Sequence, residues 1–201
     1  HPRAVLQRRE MSKDIILASA SPRRRRILEM MGLDPVVRPA AGEERIPPGV
    51  SPDGAVRILS GRKAGEVAGV SPRDSIVIAA DTVVVLDGRI LGKPSGKDGA
   101  REMLAALSAR EHSVLTGLTV ISGGTEICVC EETLVRFREL TEREIERYIA
   151  TGEPMDKAGA YGIQGPGGAF VSGITGDFYN VMGLPLCRLG LILRRLGVEL
   201  I

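Results

Sequence analysis

Three features of the 201-residue chain predict a mixed α/β fold. A short apolar run feeds a capped helix start over residues 14–32. An apolar run of eleven positions, 76–86, closes on an Asp-Gly tip. Two further strand-like runs, 112–121 and 126–137, are joined by a turn. Strands interleaved with amphipathic helices build such folds. The expected architecture is an elongated sheet with helices on its flanks and a central cleft.

Residues 14–32 read DIILASASPRRRRILEMMG. Ile15 to Ala18 is a buried-strand pattern, and Ser19-Ala20-Ser21 is a small-residue turn. Ser21 suits an N-cap, and Pro22 suits the first helical position, where its missing N–H costs nothing. Ile27, Leu28 and Met31 follow at helical spacing, and Gly32 is a stop. Such a turn leaves unpaired backbone N–H groups at the positive end of a helix dipole, beside two hydroxyls and four arginines, a setting that favours phosphate. Successive arginines rotate by about 100°, so Arg23 and Arg24 in the first turn are the better placed. A solvated basic helix face after an ordinary capped turn has the same local pattern, and both readings stand at this point.

Pro35 to Arg38 is a short strand candidate, followed by the polar loop AAGEERIPPGVSP. Its Glu43 and Glu44 fit solvated surface or a Mg²⁺-ligand position. Asp53 to Val67 is predicted helical. Val56, Leu59, Lys63 and Val67 fall on one stripe, so Lys63 either snorkels past the core or extends its ammonium to a phosphate. In IVIAADTVVVL, Asp81 is the one charged residue. A carboxylate buried without partners costs several kcal/mol. Asp81 therefore ends a strand, is paired, binds a metal or opens into a cleft. Asp87-Gly88 is a hairpin tip, and the return limb brings Lys93 near Asp81.

Residues 98–108 are predicted helical. Ser122 to Thr125 has turn composition, and Thr141 with Glu144 forms a capping box opening a helix that ends at Gly152. TGEPMDKAGAYGIQG, residues 151–165, is glycine-rich, with Lys157, Tyr161 and Gln164 interleaved. It is a ligand-approaching loop or a plain connector. GITGDFYNVMGLP spans 173–185, and Leu186 to Leu196 closes the chain as a helix.

Composition narrows the function. Lys and Arg total 27 against 25 for Asp and Glu, a balance that argues against a whole-protein grip on nucleic acid. Aromatic residues are 3% with no Trp, so stacking platforms are few. Three cysteines and two histidines, without C-x-x-C, give neither a disulfide framework nor a zinc site and fit a reducing cytoplasm. No apolar run spans a bilayer, so no membrane partner is expected. HPRAVLQRRE, residues 1–10, lacks an apolar core and is not a secretory signal. It is set aside as an extension, leaving one domain over 11–201 with two lobes around the cleft.

LASASPRR, DTVV with the downstream GKP, the 151–165 block and the 173–185 block together make the chain resemble the Maf family of nucleoside triphosphate pyrophosphatases, from about residue 14 to the end. The resemblance implies an architecture related to inosine triphosphate pyrophosphatases and cleavage between the α and β phosphates. It implies a divalent cofactor, Mg²⁺ or Mn²⁺, and a homodimer. It implies Asp81 as the proton acceptor and a metal ligand. Arg23, Thr82 and Gln164 occupy the positions that separate family members by substrate, and this trio resembles the dTTP/UTP subgroup. A glutamine amide can donate to O4 and accept from N3–H of uracil or thymine, and an arginine can donate to a second carbonyl. Cytosine would leave those groups mismatched.

The remaining inventory is a phosphate cradle of Ser19, Ser21, Arg24, Lys63 and Lys93, with Glu44 as the second metal ligand. Arg25 and Arg26 stand where the family more often has one acidic residue. Glu43 stands where an Asp often precedes the Glu, which favours Glu44. No Walker A sequence is present, which excludes a P-loop mechanism. Two rivals are a nucleic-acid-binding regulator using the Arg23–Arg26 helix and, from the family's link to septum formation, a non-catalytic cell-division factor.

Overall fold

The structure is a computed structural model that describes residues 13–201; the extension expected over residues 1–10 lies outside the described residues. In chain order the elements are β1 (Ile15–Leu17), α1 (Pro22–Met30), β2 (Val36–Val37), α2 (Pro52–Ala68), β3 (Ile76–Leu86), β4 (Arg89–Leu91), α3 (Gly96–Leu107), β5 (Glu111–Ser122), β6 (Thr125–Phe137), α4 (Glu142–Ala150), β7 (Val171–Thr175), α5 (Phe178–Val181) and α6 (Leu186–Arg195). Three short 3-10 turns lie between α4 and β7.

The local signals act where the side chains place them. Ser21 and Ser51 cap α1 and α2, each followed by Pro at the first helical position. Thr141 and Glu144 make both bonds of the capping box that opens α4. Asp87 and Gly88 take positive φ, 51° and 73°, at the β3–β4 tip, the geometry that a two-residue hairpin turn demands.

The strands form one seven-stranded mixed sheet in the order β2-β1-β3-β5-β6-β7, with β4 also on β3. β1 runs parallel to both β2 and β3; every other pairing is antiparallel. β5 pairs continuously with Val77 to Val85, filling one edge of β3. The other edge is shared. β1 takes Ile76 to Ile78 and β4 takes Val84 to Leu86. Ala79 to Val83 therefore have a strand on one side only. The sheet forks there, and Asp81 and Thr82 sit in the fork.

Successive β3 residues point to opposite faces. Ile76, Ile78 and Ala80 join Ile27 and Leu28 of α1 and Leu189, Ile192 and Leu193 of α6 in one core. Val84 and Leu86, on the same face beyond the fork, join a second core with Leu104 of α3, Ile149 of α4 and Phe137. Val77, Ala79 and Val83 pack under α2 on the reverse face. Two cores thus lie on one face of the sheet, separated at the fork.

Candidate active site

The first wall of the site is the turn that leaves β1. Ala18 N–H donates to Ile78 O at 2.8 Å, extending the β1–β3 pairing by one residue before the chain swings into α1. Ser21 Oγ accepts from Arg24 N–H (3.4 Å), while Ser19 Oγ accepts from Ser21 N–H (3.2 Å) and from Arg24 Nη1 (3.1 Å). Both hydroxyls accept, so both keep their own protons for a ligand. Arg24 turns inward. Its Nε donates to Gly183 O at 2.7 Å and its Nη2 to Thr82 Oγ1 at 3.1 Å. Burial lowers the guanidinium to about 10, against the upward pull of the Asp81 carboxylate. It stays protonated at neutral pH as a fixed cation with two N–H groups unspent.

The second wall lies across β3, under α2. Lys63 Nζ sits 3.0 Å from Asp81 Oδ1 and 2.8 Å from Glu44 Oε1. The Asp81 and Lys63 side chains are only 14% and 18% exposed, whereas Glu44 is 69% exposed. The apolar strand thus holds a paired carboxylate, which removes most of the burial penalty. The hydrogen bond from Lys63 holds Glu44 below the usual carboxylate range, and the charges of Lys93 and Arg24 act in the same direction. Because Glu44 and Asp81 both act on Arg24, the two walls form one electrostatic site.

Two features missed in the sequence fix this wall. Gly117 faces Asp81 across the β3–β5 pair, and a Cβ there would meet Val56 O at 2.1 Å. Without a side chain at Gly117, the α2 backbone rests directly on the sheet, and the buried Ser60–Thr119 hydroxyl pair at 2.8 Å secures it. The Glu44 loop is clamped to the same helix. Glu66 accepts from Ala41 N–H (2.7 Å) and Gly42 N–H (2.8 Å), and Arg62 Nη1 donates to Arg45 O (2.7 Å). Glu44, Lys63 and the clamp are thus all tied to one helix. A periodicity reading finds Lys63 but has no signal for which backbone α2 touches.

The remaining candidates lie further out. Lys93 is exposed two residues past β4. Its charge reaches Glu44. Arg23 is half-buried and acts through space on Arg24 and on Asp156 of the glycine-rich block. Gln164 lies on an exposed turn, and no side-chain hydrogen bond joins it to Arg23 or Thr82. Its backbone neighbours are pinned. Tyr148 Oη accepts from Gly162 N–H (3.1 Å) and donates to Glu153 Oε1 (2.7 Å), while Gly165 packs against the Glu153 carboxylate.

Two carboxylates converging on one ammonium have the chemistry of a hard divalent-ion site completed by substrate oxygens. The residues present could accommodate Mg²⁺ or Mn²⁺, with Asp81 and Glu44 as the side chains that would hold it. Among the described residues no cluster of three or more His, Cys, Asp or Glu could hold a metal without such help. No helix among them is long and apolar enough to cross a membrane.

A forked mixed sheet with an inward-turned arginine on one wall and a lysine between two carboxylates on the other defines an α/β protein built to receive a polyanion. The chain belongs to the Maf-like protein family, whose model matches residues 14–196. A dTTP/UTP pyrophosphatase of Pelotomaculum thermopropionicum is 47% identical over 94% of this chain and all of its own length. Proteins with the same name from Agathobacter rectalis and a Geobacillus strain are each 50% identical over 92% of this chain and 98% and 99% of theirs. Among solved structures, a nucleoside-triphosphatase / dITP/XTP pyrophosphatase of Mycobacterium abscessus matches at TM-score 0.41 and 18% identity, over 64% of this chain and 76% of its own.

Proposed function

We propose that this chain is a divalent-metal-dependent pyrophosphatase that converts dTTP and UTP to the monophosphate and pyrophosphate. The observation that carries the reading is the meeting of Asp81, Lys63 and Glu44 with Arg24 at the fork of β3, in a chain about half identical to proteins of that name. Arg24, Lys63 and Lys93 neutralise phosphate oxygens, with the Ser19 and Ser21 hydroxyls donating beside them. Asp81 takes the proton of the attacking water. Glu44 and Asp81 would hold the metal, which polarises the anhydride when bound. Arg23, Thr82 and Gln164 select the base. The domain is taken as 11–201, acting in the cytoplasm as a homodimer.

The arginine helix lends little to a nucleic-acid reading. Arg24 is turned inward, and Arg25 is tied to Glu29 at 2.6 Å, so the exposed basic face is thinner than four consecutive arginines imply. Pyrophosphate release from dTTP, UTP, dCTP, dATP and dGTP with Mg²⁺ or Mn²⁺ tests the proposal. Thymine and uracil substrates should lead by at least tenfold, the scale of a mismatched base edge. Equal rates on all five would reject the base assignment, and no release with either metal would reject the enzyme.

A further inference from the structure

Beneath the site runs a chain of hydrogen bonds whose two ends dictate its direction. Arg24 Nη2 reaches Thr82 Oγ1 at 3.1 Å. Thr82 Oγ1 lies 2.8 Å from Thr116 Oγ1, its partner across the β3–β5 pair. Thr116 Oγ1 in turn reaches the main-chain oxygen of Asn180, in α5, at 3.2 Å. A guanidinium can only donate and a carbonyl can only accept. Thr116 has one proton, and it goes to Asn180 O. Thr82 must then give its own proton to Thr116 while it accepts from Arg24. The far end is anchored, because the two protons of the Asn180 side-chain nitrogen are shared among Val114 O, Glu131 O and Thr133 Oγ1, each at 3.1 Å. Thr116 and Asn180 are buried, whereas Thr82 is half-buried.

We infer that Thr116 is a positioning residue for base selection: by taking the Thr82 proton it leaves Thr82 with one free lone pair and nothing to donate. On the pairing edge of thymine or uracil the only donor is N3–H, flanked by two carbonyl acceptors. An acceptor-only hydroxyl that touches this edge therefore takes N3–H, and Gln164 is left to donate its amide N–H to O4. Cytosine has a bare N3 lone pair at the same place, and two acceptors facing each other in a half-buried site leave both unpaired. Ser19 and Ser21 differ from Thr82 in this respect. They accept from N–H groups alone and keep their protons, which suits them to phosphate oxygens.

The inference rests on the proposed base selection at Thr82, and its test separates the two. kcat/KM for pyrophosphate release is measured with dTTP and dCTP for wild type, Thr116→Val and Thr116→Ser. Valine keeps the shape of threonine but cannot take a proton, so the Thr82 hydroxyl is free to turn and donate to cytosine N3. The dTTP/dCTP ratio should fall about tenfold in Thr116→Val, the scale of relieving one unpaired polar group. It should stay at the wild-type value in Thr116→Ser. A merely structural role would depress both substrates together and leave the ratio unchanged, which would overturn the inference while the base assignment stands. A wild type without preference for dTTP over dCTP would overturn both.

Discussion

Adding one methyl group at Gly117 should damage the site without touching any residue that faces the substrate. An alanine Cβ there would lie 2.1 Å from Val56 O, 2.3 Å from Val56 C and 2.9 Å from Arg57 N. All three are backbone atoms, so no side chain can swing away. Real Cβ atoms essentially never come closer than 3.0 Å to such neighbours, so α2 must retreat from the sheet by about 1 Å. Lys63 rides on α2, and its 3.0 Å bond to Asp81 would open to about 4 Å, beyond hydrogen-bond range. The Glu44 loop would follow, because Glu66 and Arg62 bind it to the same helix. A displacement of about 1 Å can cost about 10²-fold in rate. Overpacking costs about 1–3 kcal/mol, or about 2–12 °C in Tm for a chain of this size. Pyrophosphate release and a thermal melt of Gly117→Ala read both numbers. Wild-type rates in a protein that has lost several degrees would refute the claim that the α2–sheet contact sets the Lys63–Asp81 geometry.

The opposite result is expected one helical face away. Gly65 lies in the interior of α2, and beyond the adjoining helix backbone no atom lies within 4 Å of where a Cβ would be, so Gly65→Ala should raise stability by about 0.5–1 kcal/mol in a denaturant titration. A second expectation concerns acid. His112 is buried with Nε2 2.7 Å from Tyr161 Oη and Nδ1 unpartnered, and burial lowers it to about 4. Between about pH 6.5 and pH 4 the unfolded chain takes up a proton that the folded imidazole refuses, so stability must fall as pH falls through that window. At pH 5 this amounts to about 2 kcal/mol. Denaturant midpoints at pH 7 and pH 5 should show the loss in wild type and a smaller loss in His112→Gln.

What could be read from the sequence divides along the range of the interactions. Ser21, Pro22, Asp87-Gly88 and the Thr141–Glu144 box act within four residues of themselves, and each fixes its turn or helix end as expected. The isolation of Asp81 within an apolar run was visible because a buried charge needs a partner, and Lys63 was visible as a cation on an apolar stripe. Their bond was not visible, since it depends on how close α2 comes to β5, and Gly117 carries no pattern of its own. The fork was also hidden. Nothing local to β1 or β4 says that both share one edge of β3 and leave Ala79 to Val83 open. The same holds for Thr116 and Asn180, which look like ordinary strand and turn residues until the sheet register stacks them under Thr82. Gln164 was singled out through the family motif alone, and its own side chain adds no contact that would have found it.

In the proposed reaction a lone aspartate in an apolar strand draws a proton from water beside a triphosphate held by the first helix. Pyrophosphate release from dTTP by Asp81→Asn, measured beside wild type at saturating Mg²⁺ and again with Mn²⁺, tests it most directly. Asparagine keeps the size of the side chain and removes its basicity, so the rate should drop by about 10²-fold or more with both metals, the scale of a missing general base. A variant that is folded by thermal melt and retains more than a tenth of the wild-type rate would rule out Asp81 as the base.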